Sequence, residues 1–511
     1  MKKHRLEYPL IDLFAGPGGL GEGFSMFHNG NDDPCFKSVA AIERDEFSHQ
    51  TLLLRHFFKA FDPSAVPDDY YAYLEGRITK HALKGKHPNQ WAHAEKSALK
   101  LSLGPDNHNH IKGLIDSRLG DTKKWALIGG PPCQAYSLVG RSRMMSNPEF
   151  EEDERHFLYK EYLKIIVDHK PPVFVMENVK GLLSAKNKGE FVIDKIMADL
   201  SCPIKAIGEG NAGLNYRLYS LCDRGEVQDE AERKRFVVRA EEHGVPQARH
   251  RMFILGVRSD IDVIPGTLKK TNPPTVKQII GGLPKIRSGV SRQSDSAELW
   301  KSVVASVAKS KWSLSDKQLD GQVKKILELA IKEGAAADFQ RSSRLYKRPS
   351  VMRTWYCDDR LKVLLAHEAR SHMETDLHRY LFAAAYGEAL SVSPKLAEFP
   401  EELLPNHKNV GAGRAGKMFS DRFRVQVKSR VSTTVTSHIS KDGHYFIHYD
   451  PAQCRSLSVR EAARLQTFPD NYHFEGPRTS QYHQVGNAVP PYLAMQIAEI
   501  VKGLLDRMPG E

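Results

Sequence analysis

The chain has 511 residues, 41% of them apolar, and 74 Lys and Arg against 62 Asp and Glu give a formal net charge of +12. That length holds two domains or one large domain with insertions, and the apolar share supports a full core. The charge favours a polyanionic partner, and no segment approaches the ~20 continuous apolar residues of a membrane-spanning helix, so no membrane partner is expected.

The basic start Met1-Lys2-Lys3-His4-Arg5 leads into a short apolar run carrying Asp12, a pattern unlike a secretion signal. Residues 9–14 read as a strand that enters Ala15-Gly16-Pro17-Gly18-Gly19-Leu20-Gly21-Glu22-Gly23-Phe24, a glycine turn followed by a helix. This is the first βα turn of a doubly wound sheet, with glycines that let the backbone approach a ligand. Gly16, Gly18 and Gly21 match G-x-G-x-x-G, so a nicotinamide or flavin cofactor and S-adenosylmethionine both fit at this point. The next strand, Ser38 to Ile42, ends at Glu43, a carboxylate placed to accept hydrogen bonds from a ribose diol.

An expanded region separates Ala60 from Gly120, and then the apolar run Trp125 to Ile128 stops at Gly129-Gly130-Pro131-Pro132-Cys133-Gln134. Glycines and a double proline end a buried strand abruptly and hold one cysteine in a turn. Cys133 is either a buried structural thiol or a nucleophile, which needs a pKa-lowering setting. The six cysteines (Cys35, Cys133, Cys202, Cys222, Cys357, Cys454) otherwise form no Cys-x-x-Cys pair and no metal-ligand spacing, as in reduced proteins of the cytoplasm that hold no metal.

Val173 to Met176 forms a further strand that delivers Glu177-Asn178-Val179 to the sheet edge. Gly244 to Arg251 precedes the strand Met252 to Val257, and its alternation puts Arg249 and Arg251 on one face. From Asn272-Pro273-Pro274 onward the βα rhythm breaks; amphipathic segments lie near Lys317–Lys332 and Leu361–Leu390, and much of 290–410 reads as helical. Two basic clusters follow: Arg341, Arg344, Lys347, Arg348 and Arg353 with Tyr346, Trp355 and Tyr356, then Arg414, Lys417, Arg422, Arg424, Lys428 and Arg430 with only Asp421 opposing them. Each is a solvated face or a phosphate-binding surface. Tyr482 to Pro491 carries Gly486-Asn487-Ala488-Val489 and leads into an apolar helix from Tyr492 to Leu505.

Taken together and in this order, these blocks resemble the DNA (cytosine-5)-methyltransferase family, the bacterial modification enzymes in particular. The matching segments are Phe14-Ala15-Gly16-Pro17-Gly18-Gly19, Gly130-Pro131-Pro132-Cys133-Gln134, Glu177-Asn178-Val179, Gln247-x-Arg249-x-Arg251, Arg460 to Asp470 and Gly486-Asn487-Ala488-Val489. The resemblance implies an S-adenosylmethionine site formed by Phe14, Ala15, Gly16, Pro17, Gly18, Gly19, Glu43, Gly130, Pro132, Asn487 and Ala488. It implies Cys133 as a thiolate that adds to carbon 6 of a flipped cytosine and Glu177 as the acid at ring nitrogen 3. Arg249 is expected on the O2 side of the base, and Arg251 beside Glu177 and the neighbouring phosphate. An acidic residue is expected near the adenine after the third strand, where Asp106, Asp116 and Asp121 compete.

In such an enzyme the basic clusters become phosphate contacts. DNA contacts are expected from Gln134, Thr434, Arg414, Lys417, Arg422, Arg424 and Lys428, with Thr434 on the backbone beside the flipped base. The expected architecture is α/β, a doubly wound Rossmann-like methyltransferase domain over 1–268, completed by 478–511, with a smaller target-recognition domain inserted over 269–477. The resemblance further implies a cytoplasmic, nucleoid-associated monomer acting on double-stranded DNA, with a cognate restriction endonuclease or defence system as companion. An RNA cytosine-5 methyltransferase and a catalytically inactive DNA-binding homologue are the alternatives. Retention of Cys133, Glu177, Arg249 and Arg251 argues against inactivity, and roughly 200 residues between blocks favour DNA over the compact RNA-methylating relatives.

Overall fold

The computed structural model describes residues 7–29, 33–132, 154–187, 189–208, 213–228, 230–307, 312–336, 348–406, 410–416 and 420–509. An eight-stranded sheet organises the first half of the chain. Its strands are β1 (Tyr8–Leu13), β2 (Phe36–Glu43), β3 (Ala98–Lys100), β4 (Ala126–Gly129), β5 (Val173–Val179), β6 (Tyr216–Tyr219), β7 (Val237–Arg239) and β8 (His250–Arg258). Across the sheet they lie in the order β3-β2-β1-β4-β5-β8-β6, with β7 also paired to β8. The first five strands run parallel, and β8 lies antiparallel to β5, β6 and β7. β4 and the Val173–Met176 part of β5 are wholly apolar and buried because both faces of the sheet are covered there. With α1 (Gly19–Ser25), α2 (Glu46–Lys59), α3 (Asp68–Leu74), α4 (Lys80–Lys86), α5 (Pro88–Ser97) and α6 (His108–Leu119), these strands alternate through the first part of the chain. One face of the sheet packs on α6 and on the helices Glu154–His169 and Val192–Ser201 through residues such as Ile115, Tyr162 and Ile196. The other packs on α1 and the C-terminal helix Pro491–Arg507 through Leu20, Phe24, Ile497 and Val501.

Strand order reverses between β1 and β4, and a crevice opens beyond their C-terminal ends, where ligands of open α/β sheets bind. The chain's far end returns to that crevice. A Cβ at Gly19 would lie 2.5 Å from the Val489 carbonyl, and one at Gly23 would lie 2.3 Å from the Pro491 carbonyl. Only hydrogen fits at either position, so these two glycines are the contact surface of α1 with the C-terminal segment.

The expansion after α2 folds as the three short helices α3, α4 and α5. They share a core of Phe57, Tyr70 and Trp91 with Leu361 and Leu365 from the middle of the chain. The middle region has its own core, where helices Ala297–Ser306, Lys317–Ala336 and Glu374–Leu390 bury Trp300, Leu327 and Phe382. The amphipathic segment expected to start at Leu361 begins its helix only at Glu374; Leu361–Met373 runs through turns that hold Leu361 and Leu365 against the expansion. A further core joins helix Val459–Leu465 and Phe468, Tyr472 and Phe474 to Tyr482 and Val485 of helix Arg478–Asn487.

Candidate active site

The glycine loop leaves β1 through Phe14 at φ 58°, then Gly16 at φ 58° and Gly18 at φ 96°. Glu43, at the end of β2, holds this loop: its carboxylate accepts from the Gly16 N–H at 2.8 Å and from the Asp45 N–H at 2.7 Å. The Tyr472 hydroxyl donates to the Pro17 carbonyl from the opposite side. A Cβ on Gly16 would meet nothing within 4 Å, because that position faces a cavity of about 650 Å³.

That cavity is lined by Phe14, Ala15, Gly16, Pro17, Gly19, Glu43, Gly130, Pro132, Asn487 and Ala488, and it reaches Glu177. The expected cofactor segments therefore converge on one chamber of ordinary ligand size; Gly18 lies just behind it, with its would-be Cβ 2.9 Å from Leu52 Cδ1. The lining carries Glu43 and Asp45 against Arg44, with the weaker acids Asp12 and Glu177 beside them, and Phe14, Ile42, Leu101 and Leu103 supply apolar wall. S-adenosylmethionine fits this donor set: backbone glycines for close approach, a carboxylate at the end of β2, apolar wall for a purine. Asp12 lies beneath the loop, and burial together with the Glu43 charge pushes its carboxyl up to about 8.

None of Asp106, Asp116 and Asp121 lines the cavity. Asp116 instead faces His169 at 3.0 Å. The chain after β3 presents Leu101 and Leu103 to the chamber.

Asn178 anchors the turn after β4 by donating from Nδ2 to the Pro131 carbonyl at 3.1 Å. Gly129 pairs with Met176, and a Cβ at Gly130 would stand 3.1 Å from Glu177 Oε2, so the turn and the carboxylate touch. Cys133 and Gln134 follow directly, and both lie outside the described residues. Burial raises the Glu177 carboxyl above its ordinary range, against the opposing pull of Arg251 and Arg249. Arg251 Nε meets Glu177 Oε1 at 3.1 Å.

Arg251 stands beside Glu177, where the resemblance puts it, and Arg249 is engaged by backbone carbonyls. Arg249 is buried, and its Nη atoms donate to the carbonyls of Val435 (2.8 Å), Gly486 (3.2 Å) and Asn487 (3.4 Å). Arg251, part-exposed, is the one that stands at the Glu177 carboxylate. The short strand Gln247–Ala248 pairs with Ser432–Thr433 rather than continuing into β8, which brings the Val435 carbonyl within reach of Arg249. One uninterrupted alternation, as the sequence suggests, does not form.

Thr434 follows that pairing, and its hydroxyl donates to the Ala248 carbonyl at 2.5 Å. Of the second basic cluster, Arg414 pairs with Glu401 at 3.1 Å, Arg424 with Asp421, and Lys428 with Glu388. Arg422 and Arg430 have no acidic partner among the described residues, and Lys417 lies outside them. In the first cluster Arg341, Arg344, Tyr346 and Lys347 lie outside the described residues, and Arg348 pairs with Asp359 at 2.5 Å. Trp355 and Tyr356 are core residues there, donating to the carbonyls of Thr467 and Arg464, so they are no stacking platform.

Sequence reasoning missed Gln466 and Tyr472, which brace the 486–488 strip and the glycine loop. Both sit inside the Arg460 to Phe474 stretch, and nothing local to it says which surface each side chain meets.

A family model described as C-5 cytosine-specific DNA methylase matches residues 105–201 and 232–503. The chain belongs to that family. A type II methyltransferase of Bacillus paralicheniformis, M.Bpa9945I, is 31% identical over 97% of this chain and 99% of its own. M.DdeI of Desulfomicrobium norvegicum, also a type II methyltransferase, is 26% identical over 96% of this chain and 87% of its own. A solved structure assigned as a DNA modification methyltransferase encoded within an E. coli prophage shares the fold, with a TM-score of 0.51 at 20% identity over 98% of this chain and 100% of that one. The protein is a DNA (cytosine-5)-methyltransferase with relatives in restriction-modification, and the RNA-directed and inactive alternatives are not favoured. Among the described residues no helix is long and apolar enough to cross a membrane.

Proposed function

We propose that this methyltransferase holds S-adenosylmethionine in the 650 Å³ chamber and methylates a flipped cytosine presented at its Glu177 end. The observation that carries this reading is the continuity of that chamber, in which the glycine loop, Gly130 and Glu177 line one space. Glu43, fixed by two backbone N–H groups, keeps lone pairs for a ribose diol. The bound cofactor supplies an electrophilic methyl group for carbon 5.

The protein's task is to make carbon 5 nucleophilic. Cys133, as thiolate, forms a bond to carbon 6, and the ring electrons move toward nitrogen 3. A carboxyl whose hold on its proton is strengthened by burial donates there, which is the role of Glu177. Arg251 fixes that carboxyl and, being part-exposed, meets the O2 side of the base. Arg249 is a positioning residue that fastens the Thr434–Val435 segment and the 486–487 strip behind the chamber. After transfer a base such as water removes the carbon 5 proton and the thiolate leaves.

Residues 1–268 with the C-terminal segment act as the catalytic unit, and the core over 290–454 as the target-recognition unit, with duplex DNA between them. The 457–474 segment packs with helix Arg478–Asn487 and goes with the catalytic unit in this proposal. Thr434 and Arg422 are proposed DNA contacts, the protein works as a monomer, and a companion restriction endonuclease reads the same site.

Duplex DNA carrying 5-fluorocytosine tests the mechanism. Thiolate addition and methyl transfer go forward, but fluorine does not leave as a proton, so a denaturation-resistant protein–DNA adduct accumulates and maps to Cys133. Normal methylation by an enzyme that never traps, or the same adduct from Cys133→Ala, overturns it.

A further inference from the structure

Helix Arg478–Asn487 ends at the chamber, and carbonyls at a helix end lose their intrahelical partners. Arg249 takes those of Gly486 and Asn487. The next carbonyl, Ala488, accepts from the side-chain amide of Gln466, a fully buried residue. Gln466 Oε1 accepts in turn from Gln247 Nε2, which also donates to the Leu465 carbonyl at 3.2 Å. Gln247 Oε1 accepts from the Val435 N–H at 2.8 Å, next to Thr434. A continuous chain of hydrogen bonds thus runs from the target-side segment to the cofactor strip.

We propose that Gln247 and Gln466 form a directional relay that sets the cofactor strip Asn487–Ala488 against the Thr434–Val435 segment, with Gln466 as a positioning residue for cofactor binding. The chain has a donor at one end, the Val435 N–H, and an acceptor at the other, the Ala488 carbonyl. Each link must therefore accept on one side and donate on the other. A primary amide does both, an ionised carboxylate only accepts, and a thioether donates nothing. Because the backbone ends fix the sense of the chain, neither amide is free to turn over.

This inference rests on the chamber being the S-adenosylmethionine site, and the test separates the two. The variant is Gln466→Glu, of equal size. Ionised, the new carboxyl sets an oxygen against the Ala488 carbonyl; protonated, it donates there and restores the chain. Burial raises its pKa into a workable range. The groups around it that also titrate or carry charge are Arg249, Arg464 and Asp470, with Asp12, Glu43, Glu177 and His483 at the chamber. All are present in wild type, so the ratio of variant to wild-type affinity cancels them.

S-adenosylmethionine is titrated calorimetrically into the purified full chain without DNA at pH 6 and pH 8.5. The expected ratio is a loss of about 10- to 100-fold at pH 8.5 that shrinks to about 3-fold at pH 6, since an unsatisfied buried acceptor costs on that order. Gln466→Met is expected to lose about 10-fold at both pH values. At saturating cofactor Gln466→Glu regains turnover to within a few-fold, a KM effect with little change in kcat. Equal affinity to wild type at both pH values, or a Gln466→Glu loss that does not depend on pH while melting stays cooperative, overturns the relay. A wild-type chain that does not bind S-adenosylmethionine overturns the cofactor reading instead.

Discussion

Glu177 illustrates how one side chain acquires a role from its surroundings. It lies near the end of β5, beyond the buried run Val173–Met176, where desolvation raises its carboxyl while Arg251 pulls in the other direction without prevailing. The protonated form is thus retained at higher pH than in a free glutamate and is lost as pH rises through the raised value. Glu177→Gln removes the transferable proton and preserves shape. Single-turnover adduct formation on 5-fluorocytosine DNA is expected to slow by about 10² or more, the usual scale for general acid catalysis. S-adenosylmethionine affinity should stay within a few-fold. An unchanged adduct rate would remove Glu177 from the chemistry.

Two glycines of α1 and its preceding loop separate packing from binding at the scale of an element. At Gly23 a Cβ would approach the Pro491 carbonyl to 2.3 Å and the Ala494 Cβ to 2.4 Å, both on a rigid helix. Gly23→Ala therefore forces α1 and the C-terminal helix apart and should cost about 1–3 kcal/mol in urea unfolding. At Gly16 the Cβ meets no atom within 4 Å, but φ is 58° and the group would stand in the chamber. Gly16→Ala should cost only about 1 kcal/mol in stability while S-adenosylmethionine affinity falls more than tenfold, read by calorimetry. Equal losses at both positions in both measurements would contradict this division.

Across the whole molecule, charge and protonation set two further expectations. Arg424 and Lys428 already hold carboxylates, whereas Arg422 and Arg430 face no acidic partner among the described residues. Neutralising Arg422 and Arg430 should flatten the log–log salt dependence of DNA binding by about 0.9 for each phosphate no longer neutralised, and the paired residues should matter less. An unchanged slope places these arginines on a solvated face. Buried histidines govern acid stability: burial pushes His367 down to about 4 and His56 to about 3. Between the ordinary histidine value near 6.5 and those values the unfolded chain binds more protons, so stability falls as pH drops through that window. Urea midpoints measured from pH 7.5 to 4.5 should decline accordingly, and His367→Gln should flatten part of the decline. A midpoint that rises on acidification would contradict it.

The strands and the glycine loop were legible from the sequence because parallel strands buried on both faces are apolar runs with abrupt ends, and glycine marks backbone that must come close to something. β4 and β5 fell where Trp125–Ile128 and Val173–Met176 place them, and the C-terminal helix where Tyr492–Leu505 places it. The family was legible too, since the blocks that carry the resemblance fall within and around the segments its model matches, 105–201 and 232–503. What the sequence did not contain was the direction of side chains at a break in a strand. Alternation put Arg249 and Arg251 together, and pairing of Gln247–Ala248 with Ser432–Thr433, almost two hundred residues apart, brought three backbone carbonyls to Arg249 while Arg251 kept the Glu177 carboxylate. In the same way Leu101 and Leu103 reach the chamber because β3, just before them, pairs with β2 at the sheet edge. Local pattern fixes which elements form, because burial and backbone conformation are local in their sequence signature. Which polar groups they satisfy depends on partners that only packing brings within hydrogen-bond reach.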